Sequence, residues 1–186
     1  MSSPGLPTAV AFDHQIGRCK DIFIKKMKDY GTAWRILRVS SITDQIFIKA
    51  QRIRSIEEKG SQRVDEGVES EFLGIINYAV IALIQSDLGT ESPLEMTEAE
   101  VISHFDRLVG EAKRLMENKN HDYGEAWRGM RTSSMTDLIL MKLLRIKQIE
   151  DNQGKTLISE GVPANYYDII NYAVFALIKM SEEGHA

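Results

Sequence analysis

Asn120-His-Asp-Tyr-Gly-Glu-Ala-Trp127, followed by Thr136-Asp-Leu-Ile-Leu-Met-Lys-Leu-Leu-Arg-Ile-Lys-Gln-Ile-Glu150, is the stretch on which the chain is organised. An earlier copy reads Met27-Lys-Asp-Tyr-Gly-Thr-Ala-Trp34, then Thr43-Asp-Gln-Ile-Phe-Ile-Lys-Ala-Gln-Arg-Ile53. Each copy sets an aromatic pair around a glycine, then a lysine and an arginine inside an otherwise apolar helix. The correspondence continues outward. Ser133-Ser134 matches Ser40-Ser41, and Glu150 matches Glu57. After a one-residue insertion, Glu160-Gly161-Val162 matches Glu66-Gly67-Val68, and Ile-Ile-Asn-Tyr-Ala-Val recurs at Ile169–Val174.

The pattern predicts an all-α fold made by tandem duplication of a three-helix unit. Residues 1–8 read as a flexible tail, 9–86 as the first repeat, 87–96 as a linker and 97–186 as the second repeat. Helices are predicted at about Val10–Asp29, Ile42–Lys59, Val68–Ser86 and Ala164–Ser181. Another begins at the capping box Thr97-x-x-Glu100 and reaches about Asn118. Gly31 and Gly60 mark stops, and Ser40-Ser41 offers a cap. No run bounded by turn signals reads as a strand. Apolar residues nearly all round the second and third helices of each unit predict deep burial. Two such units pack most economically as one pseudo-twofold bundle, with the third helices in contact.

Composition narrows the function. A net charge of −4 without a long basic run argues against extended nucleic-acid binding. The single Cys19 cannot form an intrachain disulfide and fits a reducing compartment. Neither a signal peptide nor a bilayer-spanning run is read, since Ile75–Ile84 and Ile169–Ile178 are short and carry Asn and Tyr. A cytoplasmic protein without a membrane partner is expected, and the sequence leaves open whether it forms a homo-oligomer.

Lys142 and Arg145 share one face of their helix, and Asp137 lies two turns before Arg145 at nearly the same angle. A buried cation needs an acid, a carbonyl or a bound anion. Asp168, Asn171 and Tyr172 line one face of the last helix, and Glu160 lies just before it. In one reading Asp137, Lys142, Arg145 and Asp168 form a structural ion-pair network. In the other the cations meet a phosphate, while carboxylates hold a divalent metal. Tyr123 with Trp127, and Tyr30 with Trp34, either stack on a base or staple a helix end to the core. The copies differ where acids are concerned: Asp168 corresponds to Gly74, and Asn165 to Glu71. Either the copies have specialised, or Glu71 and Asp168 meet in one composite site.

Both halves resemble the nucleotide modification associated domain family, a bacterial and phage domain of unknown function. The residues that carry this are His121-Asp-Tyr-Gly-x-x-Trp127, Asp137, Lys142, Arg145, Glu160 and Asp168-Ile-Ile-Asn-Tyr-Ala173. In the first half they are Asp29-Tyr-Gly-x-x-Trp34, Asp44, Lys49, Arg52, Glu66 and Asn77-Tyr-Ala79. The last helix is also distantly similar to the Glu-x-x-Asp helix of MazG-like all-α NTP pyrophosphatases. Those enzymes use Mg²⁺ held by acids on two helices to release pyrophosphate. This chain departs from their pattern by offering Lys142 and Arg145 where a Glu-x-x-Glu is expected.

The resemblance implies a small-molecule nucleotide as partner. Asp122, Tyr123, Trp127, Asp137, Lys142, Arg145 and Asn171 would contact it, with Tyr30, Trp34, Lys49, Arg52 and Asn77 in the first copy. Glu160, Asp168 and Glu71 would hold Mg²⁺. The activity implied is nucleotide binding, extending to Mg²⁺-dependent pyrophosphohydrolysis or an accessory role in nucleotide metabolism or nucleic-acid modification. The alternative is a non-enzymatic helical interaction protein with a buried structural ion-pair network.

Overall fold

The computed structural model describes residues 5–60, 67–89 and 91–184. Glu66, the polar 61–66 stretch and the first half of the expected tail lie outside the described residues. The described residues form six helices: α1 (Thr8–Tyr30), α2 (Val39–Lys59), α3 (Val68–Leu88), α4 (Glu98–Tyr123), α5 (Thr132–Asp151) and α6 (Val162–Glu183). Short 3-10 turns, Ala33–Ile36 and Ala126–Gly129, follow α1 and α4. No strand occurs among the described residues.

Local chemistry sets most helix ends. Thr97 accepts from the Glu100 backbone N–H at 3.2 Å and Glu100 accepts from that of Thr97 at 2.8 Å, the expected capping box. Gly60 and Gly124 close α2 and α4 in the left-handed conformation that glycine adopts without a Cβ clash. The serine caps did not form. α2 starts at Val39 and α5 at Thr132, with Arg38 and Arg131 in the cap positions and no side-chain cap. The 3-10 turns deliver the chain directly into these helices, so Ser40 and Ser133 already lie inside the first turn.

One continuous apolar core spans both repeats. α3 and α6 pack against each other at its centre, with α2 on α3, α5 on α6, and α2 on α5. α2 contributes Ile42, Ile46, Ala50 and Ile53 to the core and α5 the equivalent Met135, Ile139, Leu143 and Ile146, all fully buried. α1 and α4 cross the far side, where Phe23 meets Phe105 at 5.1 Å. α3 is long and apolar enough by composition to cross a membrane, a property that the shorter Ile75–Ile84 run does not convey. Here the burial of most of it against its neighbours accounts for its composition. Deep burial of the second helix of each unit is overturned in part. Ile48, Met141 and Leu144 are exposed, because α2 and α5 each present one face to water.

Paired polar contacts mark the pseudo-twofold. Lys20 pairs with Asp106 and Lys113 with Asp13, both at 2.8 Å. Arg54 reaches Asp137 at 3.8 Å, and its counterpart Lys147 reaches Asp44 at 3.3 Å. Thr43 donates to Glu150 at 3.2 Å, while Glu57 is hydrogen-bonded to Thr136. Burial raises the pKa of both Glu57 and Glu150, and the threonine hydroxyls offset this only in part.

Candidate functional site

Each repeat holds a cavity where its third helix passes the loop after its first. In the first repeat the cavity has a volume of about 600 Å³ and is bounded by Lys26, Tyr30, Trp34, Lys49, Gly74 and Asn77, among others. The second-repeat cavity, about 360 Å³, is lined at matching positions by Lys119, Tyr123, Trp127, Asp168 and Asn171. The Asp-Tyr-Gly-x-Ala-Trp motif supplies the rim. Its glycine lets the chain leave the helix at positive φ, and the 3-10 turn carries the tryptophan inward.

The two cavities differ in charge and filling. In the second repeat Asp168 is buried, and Lys142 and Lys119 hold its two oxygens, each at 2.9 Å. Burial disfavours the Lys119 ammonium, but the hydrogen bond and charge of Asp168 outweigh it, so its pKa is raised. Phe175 lies parallel to Trp127, with ring centroids 4.2 Å apart and planes within 5°. Arg128 covers Trp127 at 4.6 Å, leaving the indole 6% exposed.

In the first repeat Gly74 stands where Asp168 stands, and Ile81 where Phe175 stands. Lys49 lies over Gly74: a Cβ there would come 3.3 Å from Cε of Lys49 and 3.4 Å from its Nζ. Its nearest acid is Glu71, one turn earlier, at 3.6 Å, and Arg52 holds that carboxylate more closely, at 3.0 Å. Lys26 is exposed and has no ion pair among the described residues. Trp34 is half-buried, and Phe23 meets it edge-on at 6.4 Å and 61°.

Several expected site residues fall elsewhere. Asp137 lies on the α2–α5 seam with Arg54 rather than beside Lys142. Arg145 is exposed, without a carboxylate partner among the described residues. Asn165 stands where Glu71 does, so the acid that Arg52 grips is missing from the second repeat. Asp122 is exposed and hydrogen-bonds His121 at 3.1 Å. Tyr30 and Tyr123 are 72% and 74% exposed, so they line the cavity mouths rather than staple the core. Asn77 and Asn171 line the walls, but their amide N–H groups donate to the backbone carbonyls of Cys19 and Ala112 at 3.0 and 3.1 Å. That use ties α3 to α1 and α6 to α4.

The carboxylates do not fit the expected Mg²⁺ site. Glu71 and Asp168 each pair with cations of their own repeat rather than with one another, and Glu160 is exposed. No group of three or more His, Cys, Asp or Glu side chains converges among the described residues. Mg²⁺ takes oxygen donors that carry uncompensated charge, and here the buried acids are neutralised by lysine or arginine.

Sequence reasoning missed four participants. Lys26 and Lys119 sit four residues before the motif tyrosines in both copies, which was the available signal. Phe175 was hidden within an apolar run. Arg35 is 4% exposed, and its guanidinium donates to Gln85, to the Pro93 carbonyl at 3.3 Å and to the Ser92 carbonyl at 3.2 Å. Gln85 in turn donates to the backbone carbonyls of Arg35 at 2.9 Å and Leu37 at 2.7 Å. This clasp ties the linker to the rim of the first cavity, and nothing in the linker composition announces it.

No curated protein and no solved structure matches the chain. The family model described as nucleotide modification associated domain 1 matches it twice, over residues 26–86 and 119–180. The two matches begin at the equivalent lysines Lys26 and Lys119 and each run through the tyrosine–tryptophan rim to the third helix. With most of its length covered by these two matches, the chain belongs to the nucleotide modification associated domain 1 family, in tandem form.

Proposed function

We propose that this protein binds a nucleotide in the cavity of its first repeat, with the phosphate at Lys26 and Lys49 and the base against Trp34 and Tyr30. The supporting observation is that Lys26, Lys49, Gly74 and the aromatic rings of Tyr30 and Trp34 line one cavity of about 600 Å³. Lysine supplies a point charge for phosphate, and an aromatic face stacks on any base. Among the described residues no group of three or more His, Cys, Asp or Glu accompanies the lysines to hold a metal. Pyrophosphohydrolysis would need such a set, so binding rather than turnover is the activity these residues support.

The second repeat supports the other reading, a structural one. The charges at its cavity are paired internally, Lys119 and Lys142 with Asp168 and Arg128 with Glu182 at 3.1 Å. The two readings therefore apply to different halves of the same chain.

The test is a thermal-shift and calorimetric screen of nucleoside mono- and triphosphates of the common bases, with and without Mg²⁺. A ligand at a hundred times its Kd stabilises a protein by about 2.7 kcal/mol, which is readily measured. Lys49→Met and Lys26→Met should each reduce that shift, and Lys142→Met should not act through ligand. Absence of any shift across the panel rejects the proposal.

A further inference from the structure

We infer that the second repeat is a self-occupied copy of the first repeat's site, in which Asp168 stands where a ligand's anionic group binds and Phe175 where its planar ring stacks. The inference deepens the nucleotide reading of the first cavity and rests on it for the identity of the ligand.

Four matched positions carry the argument. Lys119 and Lys142 correspond to Lys26 and Lys49, and in the second repeat both ammonium groups close on one carboxylate at 2.9 Å. In the first repeat the carboxylate is removed at its origin, by Gly74, although the lysines remain. Lys49 keeps only the longer contact with Glu71, at 3.6 Å, a carboxylate that Arg52 holds more closely, and Lys26, which lines the same cavity, has no ion pair among the described residues, so the pair can take an anion from outside. At the other end, Phe175 covers Trp127 in parallel at 4.2 Å, the geometry of a stacked base, whereas Ile81 leaves Trp34 without a parallel ring among the described residues. Asp168 and Phe175 are seven residues apart on α6, on one face and about 10 Å apart along the axis at ~1.5 Å per residue. A planar heteroaromatic ring joined through a sugar to a phosphate spans a separation of that order. The cavity volumes agree with this assignment, since the copy holding both side chains is the smaller, at about 360 Å³ against about 600 Å³.

The two tryptophans report on the sites separately, because the chain contains only Trp34 and Trp127. Trp127→Phe leaves Trp34 as reporter on the first site, and Trp34→Phe leaves Trp127 on the second. Nucleoside 5′-monophosphates should quench Trp34, with a midpoint at least about tenfold below any effect on Trp127, the size expected from loss of a charge-assisted hydrogen bond. Asp168→Gly with Phe175→Ile should make Trp127 respond. The reciprocal Gly74→Asp with Ile81→Phe should silence Trp34, and it decides the matter if the opened second repeat fails to fold by circular dichroism. Iodide provides an arm independent of nucleotide, being an anion that quenches indole. It should quench Trp127 more strongly once Asp168 and Phe175 are removed, and Trp34 less once their counterparts are installed. If nucleotides fail at Trp34 but the iodide pattern holds, the nucleotide reading falls and the self-occupied copy stands. If nucleotides quench Trp34 but the folded exchanges move neither reporter, the inference falls and the nucleotide reading stands. Equal quenching of both tryptophans in the otherwise unaltered chain also overturns it.

Discussion

Lys142 lies 2.9 Å from Asp168 in the second repeat, whereas its counterpart Lys49 lies over Gly74 in the first. The pair is nearly dry, with side chains 13% and 7% exposed, so its loss should be felt in ligand-free stability. Asp168→Asn keeps shape but strands the Lys142 ammonium. We expect a destabilisation near the lower end of the about 3–5 kcal/mol typical of a broken buried pair, because Lys119 can turn to water. Urea unfolding of the ligand-free protein checks this, and a loss below about 1 kcal/mol, the range of exposed pairs, would contradict the burial argument.

Arg35 and Arg128 occupy equivalent places but should differ in weight. Arg35 is buried and satisfies several acceptors, so Arg35→Met should cost about 3 kcal/mol and expose the 91–96 segment to proteolysis. Arg128 is partly exposed and pairs with Glu182 near the surface, so Arg128→Met should cost about 1 kcal/mol or less. Matched melting and limited proteolysis of both variants would show the asymmetry, and equal losses would argue against it.

Glu57 and Glu150 should make the α2–α5 seam pH-sensitive. Burial raises both carboxyls above the ordinary 4.5. Folding therefore favours their protonated forms: their contribution is fully present below about pH 4.5 and is lost as pH rises through the raised values. Glu57→Gln with Glu150→Gln keeps acceptors for Thr136 and Thr43 while removing the titration. The melting temperature of the variant relative to the parent should rise between pH 4 and pH 7. A difference that stays constant across that window would show that the two acids are not perturbed by folding.

Cys19 should be chemically silent in the folded protein. It is fully buried on α1, and desolvation pushes its thiol up to about 12. Only the thiolate attacks a disulfide reagent, so labelling at pH 8 requires the chain to open. The labelling rate should track denaturant as unfolding does, and rapid labelling of the native protein would show that α1 lifts off locally.

The duplication, the all-helical class and the contact between the third helices were legible from the sequence, because periodicity and repetition are properties of the chain itself. The capping box at Thr97 and the glycine stops were legible for the same reason, being settled within a few neighbouring residues. The helix starts at Val39 and Thr132 were not, since the preceding 3-10 turns decide them. Which acid each cation would meet was beyond the sequence as well. Asp137 and Lys142 share a helix, yet Asp137 belongs to a seam with α2 and Lys142 to a pocket with α6. Spacing along one helix gives an angle, but the neighbour at that angle depends on how six helices are placed together. The exchange of Asp168 for Gly74 was visible as a difference in letters. Its consequence, an acid held by two lysines in one copy and a lysine lying over a glycine in the other, exists only where α1, α2 and α3, and likewise α4, α5 and α6, converge in space.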